Sequence, residues 1–99
     1  MDTRTFSGIV GAQIEQFERT LIDKADEYAT VDRLHNFKVA AELQEENATQ
    51  ALGGMMAKHT VSVYNMINSG EAFTKAMWEE KIGDHLAYLL LLRATIVED

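Results

Sequence analysis

The stretch LAYLLLL, residues 86–92, decides the fold that this sequence predicts. It belongs to the last predicted helix, residues 71–97, and it is apolar on nearly every side of that helix. A helix that is apolar all round has to be covered all round, because exposed apolar surface is unfavourable in water. Four helices of a 99-residue chain can barely provide that cover. The stretch therefore predicts a small helical bundle whose last helix also meets a partner subunit, which makes the protein a homo-oligomer.

The apolar period is helical along most of the remaining chain. In the first predicted helix, apolar side chains recur at spacings of three, four and seven residues and indicate an amphipathic helix that ends near residue 29. Its stripe consists of Phe6, Val10, Ile14, Phe17, Leu21 and Tyr28. A loop over residues 30–35 then leads to a short second helix over residues 36–46.

Polar residues at the predicted helix ends suggest caps. Asp32 or Asn36 can cap the second helix, since both side chains accept hydrogen bonds from free N–H groups. Thr49 is the predicted N-cap of the third helix, and Gly70 in the sequence NSG ends it. The chain has no proline and no linker rich in glycine or serine. We therefore expect an all-α fold of about four helices in a single domain, residues 1–99, with a long C-terminal helix.

Composition excludes several classes of function. The formal net charge of −7, with nine Lys and Arg among sixteen acids, opposes non-specific nucleic-acid binding, which needs a basic stripe. No apolar run approaches the length of a membrane span, and the N-terminus lacks the apolar core of a signal peptide. With no cysteine, there is neither a disulfide nor a thiolate metal site. A cytoplasmic protein without a membrane partner is the expectation.

Paired acids on the predicted helices are candidate metal ligands. On the last helix the main apolar stripe holds Trp78, Ile82, Leu86, Leu89 and Ile96, and a second stripe holds Met77, Glu80, Asp84, Tyr88 and Leu91. Glu80 and Asp84 lie four residues apart, so their carboxylates project side by side. Among apolar neighbours they need a cation, and Mg²⁺ suits few carboxylates with waters and phosphate oxygens. Glu42 and Glu45, one turn apart on the second helix, can add ligands. The alternative is that all four acids face water.

Basic and aromatic residues suggest a second part of the same site. Lys58 continues into a polar line with Ser62 and Asn65 on the third helix, and a compact ammonium group suits a phosphate. His59 lies on the apolar face of that helix, where a histidine packed in the core is the alternative to a functional one.

The segment around the predicted loop is rich in groups that bind nucleotides. Arg33 can hold a phosphate through two hydrogen bonds, and His35, Asn36 and Tyr28 can position a base or a water molecule. We expect Phe37 to be the hydrophobic anchor of this loop. The alternative is that Asp32 and Asn36 only cap the helix while Arg33 pairs with a nearby glutamate.

Three stretches carry a family resemblance. They are KADEYATVDRLHNFKVAAEL (residues 24–43), ALGGMMAKHTVSVYNMI (51–67) and WEEKIGDHLAYLLLLRA (78–94). Together, and in this order, they resemble a small phage-encoded family associated with nucleotide modification or metabolism. The third stretch is also similar to the last core helix of MazG-like all-α nucleotide pyrophosphatases, which are dimers or tetramers that hold Mg²⁺ on helix-borne acids and hydrolyse nucleoside triphosphates.

The resemblance implies an E-x-x-E pair, which Glu42 and Glu45 match, and a later E-x-x-D pair. Glu80 and Asp84 depart from the second pattern by one residue, and Lys81 occupies the expected acid position. The leading hypothesis is a Mg²⁺-dependent hydrolase of nucleoside phosphates. In it Glu42, Glu45, Glu80 and Asp84 hold the metal.

The remaining candidate residues have assigned roles in this hypothesis. Lys58 and His35 act with Asp84 in catalysis, while Tyr28, Arg33, Asn36 and His59 bind the nucleotide. Two alternatives remain: an oligomeric phage protein that sequesters a nucleotide without chemistry, for example a host defence signal in the infected cell, and a module that binds a host protein.

Overall fold

The secondary structure of the described part of the chain consists of helices and short connections. A computed structural model of the protein describes residues 1–22 and 32–98, and no strand occurs in these two ranges. The elements are α1 (Thr3–Phe17), a π-helical turn (Glu18–Ile22), α2 (His35–Leu43), α3 (Ala48–Ser69) and α4 (Lys75–Glu98). The prediction of an all-α fold with four helices, the last one long, is confirmed.

The chain divides into two compact units, Met1–Val31 and Asp32–Asp99. In the first unit, α1 starts at the N-cap Asp2, whose carboxylate accepts a hydrogen bond from the Thr5 N–H group at 2.7 Å. The α-helix ends at Phe17 and continues as the π-helical turn, in which the Thr20 hydroxyl donates to the Gln16 carbonyl. The predicted extension to residue 29 lies outside the described residues, as does Tyr28.

Helix α2 has different ends from those predicted. It begins at His35, and Asn36 lies inside its first turn rather than capping it. Asp32 does accept from a free backbone group, the Leu34 N–H at 3.0 Å, but it does so in the turn before the helix. At the other end the helix stops at Leu43 instead of continuing to residue 46.

Two backbone hydrogen bonds close the end of α2. The Glu46 N–H donates to the Ala41 carbonyl at 2.9 Å, and the Glu45 N–H donates to the Glu42 carbonyl at 3.4 Å. This is the Schellman arrangement, which places one residue in the left-handed region. That residue is Glu45, with φ of 54°. One of the candidate metal ligands, Glu45, therefore lies at a helix end whose geometry is usually adopted by glycine.

Helices α3 and α4 both begin with polar caps. Asn47, and not the predicted Thr49, caps α3, in a capping box with Gln50. Gly70, with φ of 72°, ends α3 as predicted, because glycine adopts this conformation without a steric penalty. Helix α4 starts at Lys75 rather than at residue 71, since the Thr74 hydroxyl accepts from the Met77 N–H group.

The core of the second unit lies where α2, α3 and the C-terminal half of α4 meet. Its buried centre consists of Leu34, Phe37 and Leu52, so the prediction that Phe37 anchors its segment is confirmed. Half-buried side chains pack around this centre; they are Ala48, Met55, Met56, Tyr88, Leu91 and Leu92. The ring of Phe37 meets the ring of Tyr88 in an edge-to-face contact, with centroids 6.4 Å apart.

The residues of α4 that enter this core are not those of its main apolar stripe. Tyr88, Leu91 and Leu92 pack inward, whereas Ile82, Leu89 and Ile96 are 42%, 42% and 60% exposed. We call the exposed stripe of Ile82, Leu86, Leu89, Arg93 and Ile96 the outer face of α4; Leu86 in it is half-buried. Among the described residues, none of the helices combines the length and apolar character needed to cross a lipid bilayer.

Candidate functional site

Two arginines line one cleft beside the C-terminal half of α4. This arginine cleft has a volume of about 580 Å³. Its lining residues are Arg33, Leu34, Leu90, Arg93, Ala94, Val97 and Glu98. Arg33 comes from the turn before α2 and Arg93 from α4, so the tertiary fold brings together two cations that are far apart in sequence. Apart from the two arginines and Glu98, the lining residues are apolar.

Neither arginine of the cleft forms an ion pair with any residue in the described ranges. Both side chains are exposed. The alternative predicted for Arg33 is a salt bridge to a nearby glutamate, and no such salt bridge occurs among the described residues. A guanidinium group has five N–H donors and no acceptor, so two such groups at one cleft favour an anion.

The acid of the cleft, Glu98, is engaged by a lysine. The Lys38 ammonium group forms ion pairs with the carboxylates of Glu98 and of Asp32, the second at 2.7 Å. The hydrogen bond from Lys38, together with that from the Leu34 N–H group, holds the pKa of Asp32 below its ordinary value. The hydrogen bonds to Asp32 and then Glu98 raise the pKa of Lys38. Lys38 is shared between Glu98 and Asp32 and offsets the charge of Glu98 only in part. The cleft keeps a positive excess because its two arginines outnumber its one acid.

Three of the polar residues singled out on the third helix line a second cleft. Lys58, Ser62 and Asn65 contribute to a cavity of about 500 Å³, which we call the α3 cleft. The other lining residues are Val61, Met66, Ser69, Glu71 and Phe73. Lys58 is the single cation of this lining and Glu71 its single acid, so the α3 cleft carries no positive excess and suits an anion less well than the arginine cleft.

The histidines and Asn36 occupy three different settings. His59 is half-buried and packs on the ring of Tyr88, with centroids 4.7 Å apart, which is the core-packing alternative for this residue. His35 and Asn36 are exposed in the first turn of α2, and neither lines either cleft. His85, which sequence reasoning passed over, lies 2.9 Å from the Thr60 hydroxyl through its Nε2 atom and links α4 to α3.

The four candidate metal ligands are all exposed to solvent. Glu80 and Asp84 are on α4, Glu42 is on α2, and Glu45 follows α2. The expectation that Glu80 and Asp84 lie in partly apolar surroundings is wrong for the single chain, because both side chains are exposed although the neighbouring Gly83 is buried. Within residues 1–22 and 32–98, no three Asp, Glu or His side chains come together in a way that would hold a metal ion.

Sequence reasoning found Arg33 but not its partner in the cleft. Arg93 stands directly after the leucine run of α4, and it is the one Lys or Arg among the last seventeen residues of the sequence. A single arginine that follows a run of apolar residues is the sequence signal by which Arg93 could have been found. Comparisons of this chain with protein-family models, with curated proteins and with solved structures gave no match.

Proposed function

We propose that the protein binds a small phosphorylated ligand of the nucleotide class in the arginine cleft and does not convert it chemically. The observation that carries this proposal is the placement of Arg33 and Arg93, both without an ion-pair partner in the described ranges, around one largely apolar cavity. Guanidinium groups bind phosphate oxygens through paired, charge-assisted hydrogen bonds. An apolar lining suits the planar base of a nucleotide.

The size of the cleft agrees with this class of ligand. Its volume of about 580 Å³ lies inside the range of roughly 300–1,000 Å³ that is usual for small-molecule sites. Apolar surface from Leu34, Leu90 and Val97 provides contact area, while the two arginines provide specificity for negative charge. The resemblance of residues 24–43, 51–67 and 78–94 to a phage family of nucleotide metabolism supports a nucleotide over other phosphorylated compounds. A host defence signal is one candidate in an infected cell.

Titration calorimetry with a panel of nucleotides tests the proposal. The panel includes nucleoside mono-, di- and triphosphates and cyclic dinucleotides, each measured with and without Mg²⁺. Arg93→Ala and Arg33→Ala are each expected to weaken binding by about 10- to 100-fold, since each removes one or two charge-assisted hydrogen bonds. Arg4→Ala, which removes an exposed arginine of α1, is the matched control and should leave the affinity unchanged. Binding that survives loss of both cleft arginines contradicts the proposal.

Mg²⁺-dependent hydrolysis of a nucleoside phosphate, with Glu42, Glu45, Glu80 and Asp84 as ligands, is the second candidate function. The side-by-side placement of Glu80 and Asp84 on α4 supports it, and their exposure weakens it. Chromatography of the nucleotides after incubation with Mg²⁺ separates the two candidates. A binding protein returns each nucleotide intact, and Asp84→Asn leaves its affinity unchanged. Turnover that Asp84→Asn abolishes would replace the binding proposal with the enzyme.

A further inference from the structure

The outer face of α4 has the pattern of a helix that pairs with another helix. Its members, Ile82, Leu86, Leu89, Arg93 and Ile96, follow one another at spacings of four, three, four and three residues. This is the 3.5-residue repeat with which two helices pack side by side. The stripe from Ile82 to Ile96 is roughly 21 Å long at the rise of an α-helix. Exposure of 40–60% at three of its apolar side chains leaves this surface in water in the single chain.

The charges on the same side of α4 are arranged to match a copy of themselves. Glu79, near the start of the helix, and Arg93, near its end, both lie along the outer face at helical spacing from Leu86. They stand seven residues before and seven residues after it. If two copies pair in antiparallel orientation about a two-fold axis at Leu86, each Glu79 meets the partner's Arg93. A parallel pair would instead place glutamate against glutamate and arginine against arginine, which is unfavourable.

We propose that a second copy of this chain covers the outer face of α4, through an antiparallel pairing of the two α4 helices centred on Leu86. Two symmetric Glu79–Arg93 pairs flank the apolar contact, and Ile82 of each copy packs against the region of Leu89 and Leu90 of the other. The chain has a net charge of −7, but the charged residues in line with the outer face are Lys75, Glu79 and Arg93, two cations and one acid, because Lys75 stands one turn before Glu79. The face is therefore the side on which two acidic chains repel each other least.

This pairing gives Arg93 a carboxylate partner that it lacks in the single chain, so its guanidinium group is shared between that carboxylate and an anion in the arginine cleft. Arg93 stands where the cleft and the outer face adjoin, and its five N–H donors can serve a carboxylate on one side and an anion on the other. The inference does not depend on the proposed function. It is tested on the full chain without any ligand.

Sedimentation velocity over a range of protein concentrations tests the pairing. The expected result is a dimer, or a larger even-numbered assembly built from dimers, that Leu89→Glu converts to a folded monomer. Leu43→Glu is the matched control, because Leu43 is an 81% exposed leucine outside the outer face, and this variant should remain associated. Circular dichroism establishes that each variant keeps its helices. A monomeric native chain, or an assembly that Leu89→Glu leaves intact, overturns the proposal.

A charge exchange tests the antiparallel register. Glu79→Arg and Arg93→Glu should each weaken association by about tenfold, since two-fold symmetry turns two attractive pairs into two repulsive ones. The double variant with both changes should restore it, because each pair is then attractive again in reversed order. The same double variant should still fail to bind a nucleotide, which separates this inference from the proposed function. Failure of the double variant to recover association overturns the antiparallel register.

Discussion

Leu52 shows how much of the fold depends on a single side chain. It is fully buried, at the centre of the cluster that joins α3 to Leu34, Phe37 and α4. In a small domain with few buried residues, the surroundings of such a side chain have little freedom to close a cavity. Packing around Leu52 is therefore expected to dominate the stability of the second unit.

Leu52→Ala should lower the free energy of unfolding by about 2–5 kcal/mol, through lost burial and the cavity left behind. Leu43→Ala is the control, since Leu43 is 81% exposed and its truncation should change stability by less than about 0.5 kcal/mol. Urea denaturation followed by circular dichroism measures both. Equal losses in the free energy of unfolding for the two variants would contradict the placement of Leu52 at the centre of the core.

Within residues 1–22 and 32–98, Glu45 is the non-glycine residue with a positive φ. Its φ of 54° lies in the left-handed region, where a side chain crowds the following carbonyl oxygen. Glu45→Gly should therefore raise the free energy of unfolding by about 1 kcal/mol. Glu42→Gly, three residues earlier inside α2, should lower it by about 1 kcal/mol, because glycine is unfavourable in a helix. Thermal unfolding measures both variants, whose expected changes in stability have opposite signs although both positions are exposed. A loss of stability in both variants would contradict the left-handed conformation of Glu45.

At the scale of the elements, a pair of threonines connects α3 to α4. The buried Thr95 accepts a hydrogen bond from the Thr49 hydroxyl at 3.0 Å and donates its own to the Leu92 carbonyl at 2.7 Å. Thr49 therefore serves the contact between two helices rather than the start of its own helix. The buried Thr95 hydroxyl has hydrogen-bond partners inside the protein, which is the condition for burying a polar group without penalty.

Thr95→Val keeps the shape of the side chain and removes the hydroxyl, so it should lower the free energy of unfolding by about 1 kcal/mol. Thr49→Val should have a similar or smaller effect. The double variant should cost less than the sum of the two single changes, because each single change already breaks the shared bond. Chemical denaturation of all four proteins completes the cycle. Strictly additive losses would show that the two hydroxyls act independently.

At the scale of the whole molecule, one lysine connects segments that are distant in sequence. Lys38 on α2 pairs with Asp32 in the preceding turn and with Glu98 at the end of α4. All three side chains are 42–51% exposed, so solvent and salt weaken the pairs. Their contribution depends on pH, since each pair needs both of its charges.

The sign of that dependence follows from the pKa of Asp32. Because this pKa is lowered on folding, its contribution is present above the ordinary value of 3.8 and is lost as the pH falls through the lower folded value. Lys38→Met should therefore be less stable than the native protein at pH 7, and the difference should shrink below pH 3.8. Lys75→Met, at the exposed start of α4, is the control. Urea denaturation at pH 7 and below pH 3.8 measures the difference in the free energy of unfolding between Lys38→Met and the native protein. A difference that does not change with pH would contradict the contribution of Asp32.

The raised pKa of Lys38 predicts the opposite dependence at high pH. Its contribution is present below 10.5 and is lost as the pH rises through the higher folded value. Stability of the native protein should therefore fall more steeply above pH 10.5 than that of Lys38→Met.

Prediction from the sequence found cleft-lining residues where local chemistry was enough, although it placed them in one site and the structure divides them between two clefts. Arg33 and Lys58 each line a cleft, and Lys58 does so with Ser62 and Asn65, as their spacing of four and three residues along one helix suggests. It failed for Glu80 and Asp84, which share a stripe with the core residues Tyr88 and Leu91 yet are exposed. A stripe runs the full length of a helix, whereas the core covers only the part of α4 that α2 and α3 reach.

The sequence by itself determined the helical period of the chain, the end of α3 at Gly70 and the apolar character of α4, because these depend on neighbours within a few residues. Only the tertiary structure decided which stripe of α4 enters the core, that Thr49 contacts Thr95, and that Arg33 and Arg93 share a cleft. The physical reason lies in α4 itself. A helix that is apolar on nearly every side carries no internal preference for one orientation, so its packing against α2 and α3 chooses the buried side, and with it the residues left at the surface to bind.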